Sequence, residues 1–488
     1  MERDGSKVLM QDMTEGKPLQ LILGFAIPML LGMLFQQFYS MVDTIIVGKF
    51  LGVDALASVG STSAVNFMVI GFVQGVCSGF AIPVAQRFGA QDYSDMRRFA
   101  ANSAWVSAVF AVIMTAVICL LTWNILEWMQ TPENIIQGAY DYIFYIFLGI
   151  PATFLYNMLS GIIRSLGDSR TPVYFLILSS LFNVVLDLWF IAGIGTGVEG
   201  AAYATVISQV VSGILCWFYM RKKFPVLKMD RDEMRLSAVH VRILCGMGIP
   251  MGLQYSITAI GSVVIQTSIN GLGSIAVASV TAGQKVSAFF CCPFDALGAT
   301  MATYAGQNVG AKKLDRIETG VKSATCIGIV YAVAAFAVLF FFGGVIPLLF
   351  VDASEAQVIR QAHQFLIFNS LAYILLVFVN VWRFTIQGMG FSLFAVLAGV
   401  CEMAARAMVG ILLVPVFGYV VVCFASPFAW LLADFFLIPA FRSCIRQLRM
   451  RFLEQSGPPA GRRQAEGPDS FRYGASWQRR NSNVFFRD

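Results

Sequence analysis

Apolar runs recur along this chain near residues 19–42, 55–83, 99–123, 138–161, 172–194 and 199–220, and again near 243–269, 276–303, 322–350, 363–386, 392–414 and 417–441. Each can cover the roughly 30 Å of hydrocarbon in a bilayer, a distance that takes about 20 residues of helix. The spacing therefore predicts an all-α polytopic membrane protein with twelve transmembrane helices. Composition agrees, because 57% of the 488 residues are hydrophobic and only 13% are charged, which sets aside the several soluble domains that this length would otherwise allow. The charged start, MERDGSKVLMQDMTEGKP, lacks an apolar core followed by a small-residue cleavage site. No removable signal peptide is expected, and the first run stays in the membrane.

Lysine and arginine are spread unevenly over alternate loops. One side collects Arg87, Arg97, Arg98, Arg164, Arg170, the cluster from Arg221 to Arg242, then Lys312, Lys313, Arg316 and Lys322, and finally Arg442, Arg446, Arg449 and Arg451. The other holds Lys49, Arg360 and little else. Cytoplasmic loops carry such an excess, so both termini are expected in the cytoplasm of a protein set in the plasma (inner) membrane. The net charge of +6 is a topology signal and not a nucleic-acid one, since the basic residues form no single stripe. The ten cysteines stand singly or as the neighbours Cys291 and Cys292, without a CxxC pair, and read as buried thiols. From about Ser456 the chain loses apolar periodicity and is expected to be a basic, disordered tail.

LGVDALASV at 51–59 returns as LGSIAVASV at 272–280, and Gln86, Gly89 and Ala90 return as Gln307, Gly310 and Ala311, all at an offset of 221. With one residue of slip, Gly24 and the IPM at 27–29 return as Gly246 and the IPM at 249–251. Two halves of six spans each enter the bilayer from the same side, which makes a parallel repeat about an axis along the membrane normal. The expected plan is an N-terminal segment 1–17, an N-lobe 18–220, a basic linker 221–242, a C-lobe 243–442 and the tail 443–488. Substrate cavities in such folds lie between the halves near the midplane.

Within the stretch FYSMVDTIIVGKFLG, residues 38–52, Asp43 stands out. A charge at that depth costs roughly 2.5–3.5 kcal/mol on insertion scales and usually serves transport or proton handling. Its repeat position is Val264, so the acid belongs to the first half alone. Asn183 and Asp187 in LFNVVLDLWF are four apart and stack on one helical face. Thr205 in the next span and Asn157 late in the fourth supply further oxygens. Two carboxylates in low dielectric repel each other unless a cation joins them, so the set suits H⁺ or, through the oxygens of Asp43, Asn183, Asp187 and Thr205, Na⁺. The bland alternative is two unrelated acids, each satisfied locally.

Other polar and small residues carry weaker signals. Gly71, Gly75 and Gly79 give the second span a smooth packing face, and Pro28 and Pro250 predict bends in equivalent helices. GTGVEG at 195–200 fits GxGxxG formally but has no strand before it, so it is no dinucleotide site. In the second half Lys285 either lines the cavity or snorkels, and it lies too far along its helix from Asp295 to pair with it. Glu402 and Arg406, at i,i+4, predict an intrahelical ion pair. Arg383 and Asp434 receive no role.

Four segments together, IPMLLGMLFQQFYSMVDTIIVGKFLGVDALASVG, RSLGDSRTPVYFLILSSLFNVVLDLWFI, GVEGAAYATVISQ and GQNVGAKK, resemble the multidrug and toxic compound extrusion (MATE) family over roughly residues 18–442. The resemblance implies two six-helix lobes around a central cavity. It implies a secondary active antiporter that exports cationic or amphipathic compounds in exchange for H⁺ or Na⁺, with no other cofactor. A first-lobe cation site built from an aspartate of the first span and an Asn and Asp of the fifth falls on Asp43, Asn183 and Asp187, with Thr205 and Asn157 nearby. Gln36, Tyr39, Gln254 and Lys285 are the candidate cavity residues. The acids that some relatives carry in the seventh and tenth spans are absent, with Gln254 in the seventh, and Leu188 stands where many relatives have proline. The implied partners are small-molecule substrates and membrane lipid, with no nucleic acid, and the chain is expected to work as a monomer.

The rival within transport is a flippase or exporter of a lipid-linked saccharide or a specific metabolite, which several cationic residues in the cavity would favour. A membrane-embedded enzyme is set aside, because the sequence has no HExxH, no GxSxG and no usable histidine near a nucleophile. A channel would show flux that does not depend on an ion gradient.

Overall fold

Helix follows from the setting: with no water inside lipid to take up backbone N–H and C=O groups, an apolar run must satisfy them within itself. A computed structural model of the chain describes residues 11–349 and 354–456, and among them there are helices and turns but no β-strand. The first half comprises α1 (Pro18–Leu51), α2 (Val53–Gly89), α3 (Tyr93–Trp128), α4 (Glu133–Leu148), α5 (Ile150–Ser165), α6 (Arg170–Asp187), a π-helical stretch Leu188–Ile194, and α7 (Glu199–Lys223). The second comprises α8 (Ala238–Asn270), α9 (Ser274–Gly310), α10 (Leu314–Phe342), α11 (Ala356–Leu371), α12 (Tyr373–Gly388) and α13 (Ser392–Met408). A second π-helical stretch, Val409–Leu413, then leads to the short α14 (Val414–Phe417) and α15 (Tyr419–Val422), and to α16 (Ala425–Ser456).

Among the described residues ten helical segments are long and apolar enough to span a bilayer, and the pairs α4–α5 and α11–α12, bent by 45° and 51°, complete the expected twelve. Large apolar side chains point outward, with Leu120 80% exposed and Phe341 74% exposed. In water such a surface would drive association, but against acyl chains it is what solubility requires. Residues up to Cys444 form one compact unit. The described part of the remainder, Ile445–Ser456, is the end of α16 and carries Arg446, Arg449 and Arg451. The rest of the expected tail, 457–488, lies outside the described residues.

The two broken spans do not break at Pro28 or Pro250. Pro28 and Pro250 sit inside uninterrupted α1 and α8, whereas the two bent spans break at Gly149 and Ala372. The last span begins at Ala425 and not near 417, because Gly418 at φ +66° turns the chain between α14 and α15. With Leu188 in place of a proline, the fifth span runs into the π-helical stretch directly after Asp187, and 221 residues later the second half does the same after Met408. Such stretches are rare and concentrate at functional sites.

In lipid, helices associate through close packing and interhelical hydrogen bonds, because the acyl chains are as apolar as leucine. α2 supplies the closest approach between lobes. A Cβ added at Gly75 would lie 2.5 Å from the Met251 carbonyl oxygen, and one at Gly79 would lie 2.5 Å from Gly248 Cα, so backbone meets backbone along α8. Near their C-termini α2 and α9 cross reciprocally: Gly89 abuts the Gln307 carbonyl and Gly310 abuts the Gln86 carbonyl, with no room for a side chain at either. This contact shuts the arginine-rich end of the cleft between the lobes.

Each lobe also grips the segment that leads into the other. Before α1, buried Met13 donates its N–H to Gln307 Oε1 (2.8 Å), and its carbonyl accepts from Asn308 (3.2 Å) and Arg316 (3.3 Å) of the second lobe. Lys313 adds a bond to the Thr14 carbonyl at 3.0 Å. Before α8, Glu233 pairs with Arg97 of α3 at 2.7 Å, and the Ser237 N–H donates to Asn102 Oδ1 at 2.8 Å. Hydrogen bonds from the Arg97 guanidinium hold the Glu233 carboxyl down at about 2.

Candidate functional site

α1, α6 and α7 bring four of the expected residues together. Asn183 and Asp187, one turn apart on α6, are both buried. The Asn183 amide has one orientation that satisfies both its ends, with the nitrogen donating to Asp187 Oδ2 (2.8 Å) and to the Tyr39 hydroxyl (3.1 Å). Its oxygen then accepts from the Thr205 N–H (3.0 Å) and hydroxyl (3.3 Å). Asp43, one turn beyond Tyr39 on α1, faces Asp187 within hydrogen-bonding reach. The Oδ1 atoms of both acids are buried without a hydrogen-bond partner. Facing carboxyls with orphan oxygens call for a proton or a hard cation between them.

One member of the expected set stands apart from the acids. Asn157 lines the nearby cavity, but its amide donates to the Thr153 carbonyl (2.9 Å) on its own helix and makes no bond to the acids. Asn183, in the amide orientation that satisfies both its ends, donates to Asp187. Sequence reasoning missed Tyr142 of α4, which is buried against both acids. Nothing separates it in the sequence from the chain's many other aromatic residues.

Beside this cluster lies a cavity of about 650 Å³ walled by both lobes: α1, α2, α5, α6 and α7 on one side, α8, α9 and α12 on the other. Gln36, Tyr39 and Gln254 line it as expected, and Gln254 accepts a hydrogen bond from Gln387 at 2.5 Å. Lys285 does not line it. That residue is exposed on α9, about two turns before Cys292, and so about 10 Å short of where the cavity begins on that helix. The charges that do line the cavity are Arg164, Asp295 and Arg383. Arg164, counted among loop cations in the sequence, sits within the last turn of α5.

Several charged groups of the second lobe have a partner within it. Arg383 pairs with Glu402, Arg406 reaches the same carboxyl at 3.4 Å as its spacing predicted, and Asn380 donates to Asp295 at 3.1 Å. Asp434 is the exception: it is buried with Arg383 as its cationic neighbour, yet neither of its carboxylate oxygens has a hydrogen-bond partner. Among the described residues no three His, Cys, Asp or Glu side chains converge on a point that could hold a metal ion.

Comparison with known proteins places this geometry. The MatE family profile matches residues 28–189 and 250–413, one stretch in each lobe. The chain is 28% identical over 358 residues to the probable multidrug resistance protein YoeA of Bacillus subtilis, covering 72% of this chain and 77% of that protein. It is 23% identical over 361 residues to a protein of Shewanella oneidensis named an FAD transporter, covering 72% and 78%. The fold superposes on a crystal structure of MATE in complex with MaL6 with a TM-score of 0.84 at 22% identity, covering 90% of this chain and 99% of that one.

Proposed function

Given that the chain belongs to the MatE family, and so is a multi-span membrane transporter and not an enzyme, we propose that it is a secondary active multidrug exporter coupled through Asp43 and Asp187. The observation that carries this reading is the facing pair of carboxyls, each with an orphan oxygen, beside a cavity shared by both lobes. One coupling cation joins the pair.

Loading the pair joins α1 to the end of α6, where the helix passes into its π-helical stretch. Unloading leaves two facing anions that repel, so the packing of α1 on α6 depends on the ion. The cavity wall shares these helices, and drug affinity changes with them. The coupling is reciprocal: if the ion weakens drug binding by some factor, drug weakens ion binding by the same factor. Met29, Met33, Phe67 and Phe384 supply an adaptable apolar lining, which favours breadth of substrate. With the arginine-rich end in the cytoplasm, both termini are cytoplasmic and the shut end is the inner one.

The test is dye efflux in inverted vesicles with pH and Na⁺ gradients imposed separately. Asp43→Asn is expected to lose at least about tenfold in gradient-driven rate, the equivalent of about 1.4 kcal/mol of coupling, while still binding dye. A mutant that pumps like wild type removes the coupling role, and a wild type that moves no cationic dye under either gradient removes drug export. A second reading, export of one metabolite, draws on the relative named an FAD transporter. It predicts transport of a single compound and indifference to unrelated dyes.

A further inference from the structure

We propose that the pocket between the start of α3 and the segment leading into α8 holds the headgroup of one anionic phospholipid, a phosphodiester lipid such as phosphatidylglycerol, taken from the leaflet on the arginine-rich side of the protein. The site is separate from the cavity between the lobes, and its occupancy does not depend on what that cavity carries.

The pocket, of about 430 Å³, is lined by Arg98 and Asn102 of α3, by Arg235 and Ser237 ahead of α8, and by His240 in the first turn of α8. Most of its polar groups are in use. The Asn102 amide donates to the carbonyls of Arg98 (2.9 Å) and Arg235 (3.3 Å), and its oxygen accepts from the Ser237 N–H (2.8 Å). The two ring nitrogens of His240 lie 2.8 Å from the Ser237 hydroxyl and from Asp95, and Asp95 is matched in turn by Arg87 at 2.8 Å. These bonds fix the segment before α8 against α3 and so fix the walls.

Two guanidinium groups are left to act on a ligand. Arg97 is paired with Glu233, but among the described residues no acid pairs with its neighbour Arg98. Arg235 pairs with Asp232 at 3.0 Å, and both side chains are largely exposed. An open ion pair of that kind is worth little, and a guanidinium has five donors, so Arg235 keeps donors for a second anion. Two arginines against one aspartate leave a single positive charge at the pocket. One phosphodiester neutralises it, and its two free oxygens suit the two forks.

The surroundings assign that phosphate to a lipid. Two turns beyond Arg98 on the same face of α3, half-exposed Trp105 donates its indole N–H to the Met234 carbonyl at 3.0 Å. Tryptophan settles at the headgroup level of a membrane, so the ring marks the depth at which phosphates lie. Exposed Val109 and Val112 continue this face of α3 away from the pocket, and exposed Leu236 and Val239 flank the pocket itself. A soluble anion leaves such a surround uncovered, whereas a phospholipid lays its acyl chains along it while its phosphate meets the arginines. Because Arg98 and Arg235 stand on separate elements, the bound lipid also ties the linker to the first lobe.

Native mass spectrometry of the purified full-length protein, titrated with phosphatidylglycerol and with phosphatidylcholine of the same acyl chains, reads the affinity for the first lipid bound. Wild type is expected to prefer phosphatidylglycerol by about thirtyfold, the scale of two arginines at a membrane surface. Arg98→Gln and Arg235→Gln should each lose about fivefold of that preference, the double variant should lose all of it, and Lys223→Gln, a charge removed from the exposed end of α7, should lose none. Phosphatidylcholine affinity that is the same in every variant shows that they are folded. Equal binding of the two lipids by wild type overturns the proposal, as does a preference that survives in the double variant or falls as far in Lys223→Gln. Hydrogen exchange of residues 230–237 in nanodiscs separates the two sources of phosphate. Phosphatidylglycerol discs should slow it relative to phosphatidylcholine discs, and millimolar inorganic phosphate added to the latter should leave it unchanged. Slowing by inorganic phosphate to the same extent would make this a site for a soluble anion and overturn the lipid assignment.

Discussion

In the first lobe the carboxyls of Asp43 and Asp187 face each other with an orphan oxygen apiece. At the same offset of 221 the second lobe has Val264 and Met408; there Glu402 is answered by two arginines and Asp295 by Asn380, while Asp434 keeps two orphan oxygens. The helices around these positions are alike, down to the π-helical stretch that follows Asp187 in one lobe and Met408 in the other. A duplicated fold has therefore kept its backbone devices and let its polar chemistry diverge. A charge that must be gained and lost has to stand without a fixed partner, whereas a charge that only shapes the interior is best matched within the protein.

That contrast is breakable by stability measurements. Glu402→Ala would leave Arg383 and Arg406 without their acid, and the expected loss is about 3–5 kcal/mol, read as a lower melting temperature of the purified protein. Asp43→Asn, in the same assay, should leave the melting temperature unchanged or raise it, because it removes a buried repulsion. If Glu402→Ala melts like wild type, the second-lobe charges are not structural and the comparison fails. Where the lobes are equivalent the prediction is symmetry: Gly89→Val and Gly310→Val each force a side chain into the opposing backbone, and each should cost roughly 1–3 kcal/mol. A large cost at one position only would show that the crossing is not reciprocal.

The smallest effect concerns the linker, which docks on the first lobe through Glu233. With its carboxyl held at about 2 by Arg97, against roughly 4.3 when free, the pair contributes fully above pH ~4.3. That contribution is lost as pH falls through about 2. Hydrogen exchange of residues 230–237 should therefore stay slow from neutral pH to about pH 5 in wild type and rise in Glu233→Gln over that whole range. Equal exchange in the two proteins would mean that this ion pair does not hold the linker.

Much of the site was readable because acids in lipid are conspicuous and because i,i+4 spacing fixes a shared face, so Asp43, Asn183 and Asp187 could be grouped before any coordinates. Which end of the Asn183 amide meets Asp187 is a matter of its whole surroundings and was not readable. Arg164 was misplaced by a boundary: ending the fourth span near 161 puts the residue in a loop, and four more residues of helix put it in the cavity wall. Lys285 failed for the opposite reason, since position along a helix axis decides whether a side chain reaches a cavity. Of the two span breaks, the first has Pro151 beside it as a local signal, while Ala372 has none.

The crossed grips on the segments before α1 and α8 have a consequence for motion. Because the residues ahead of each lobe are tied to its opposite number, the lobes cannot swing apart at that end as two free bodies. Either both ties break together, which would make the passage abrupt, or the rotation is absorbed in the helices beyond the ties, around Gly24–Pro28 of α1 and Gly246–Pro250 of α8. Neither Gly24 nor Gly246 has any atom within 4 Å of where a Cβ would sit, so neither is wedged against a neighbouring helix, and the two lie at matching points of the duplicated sequence.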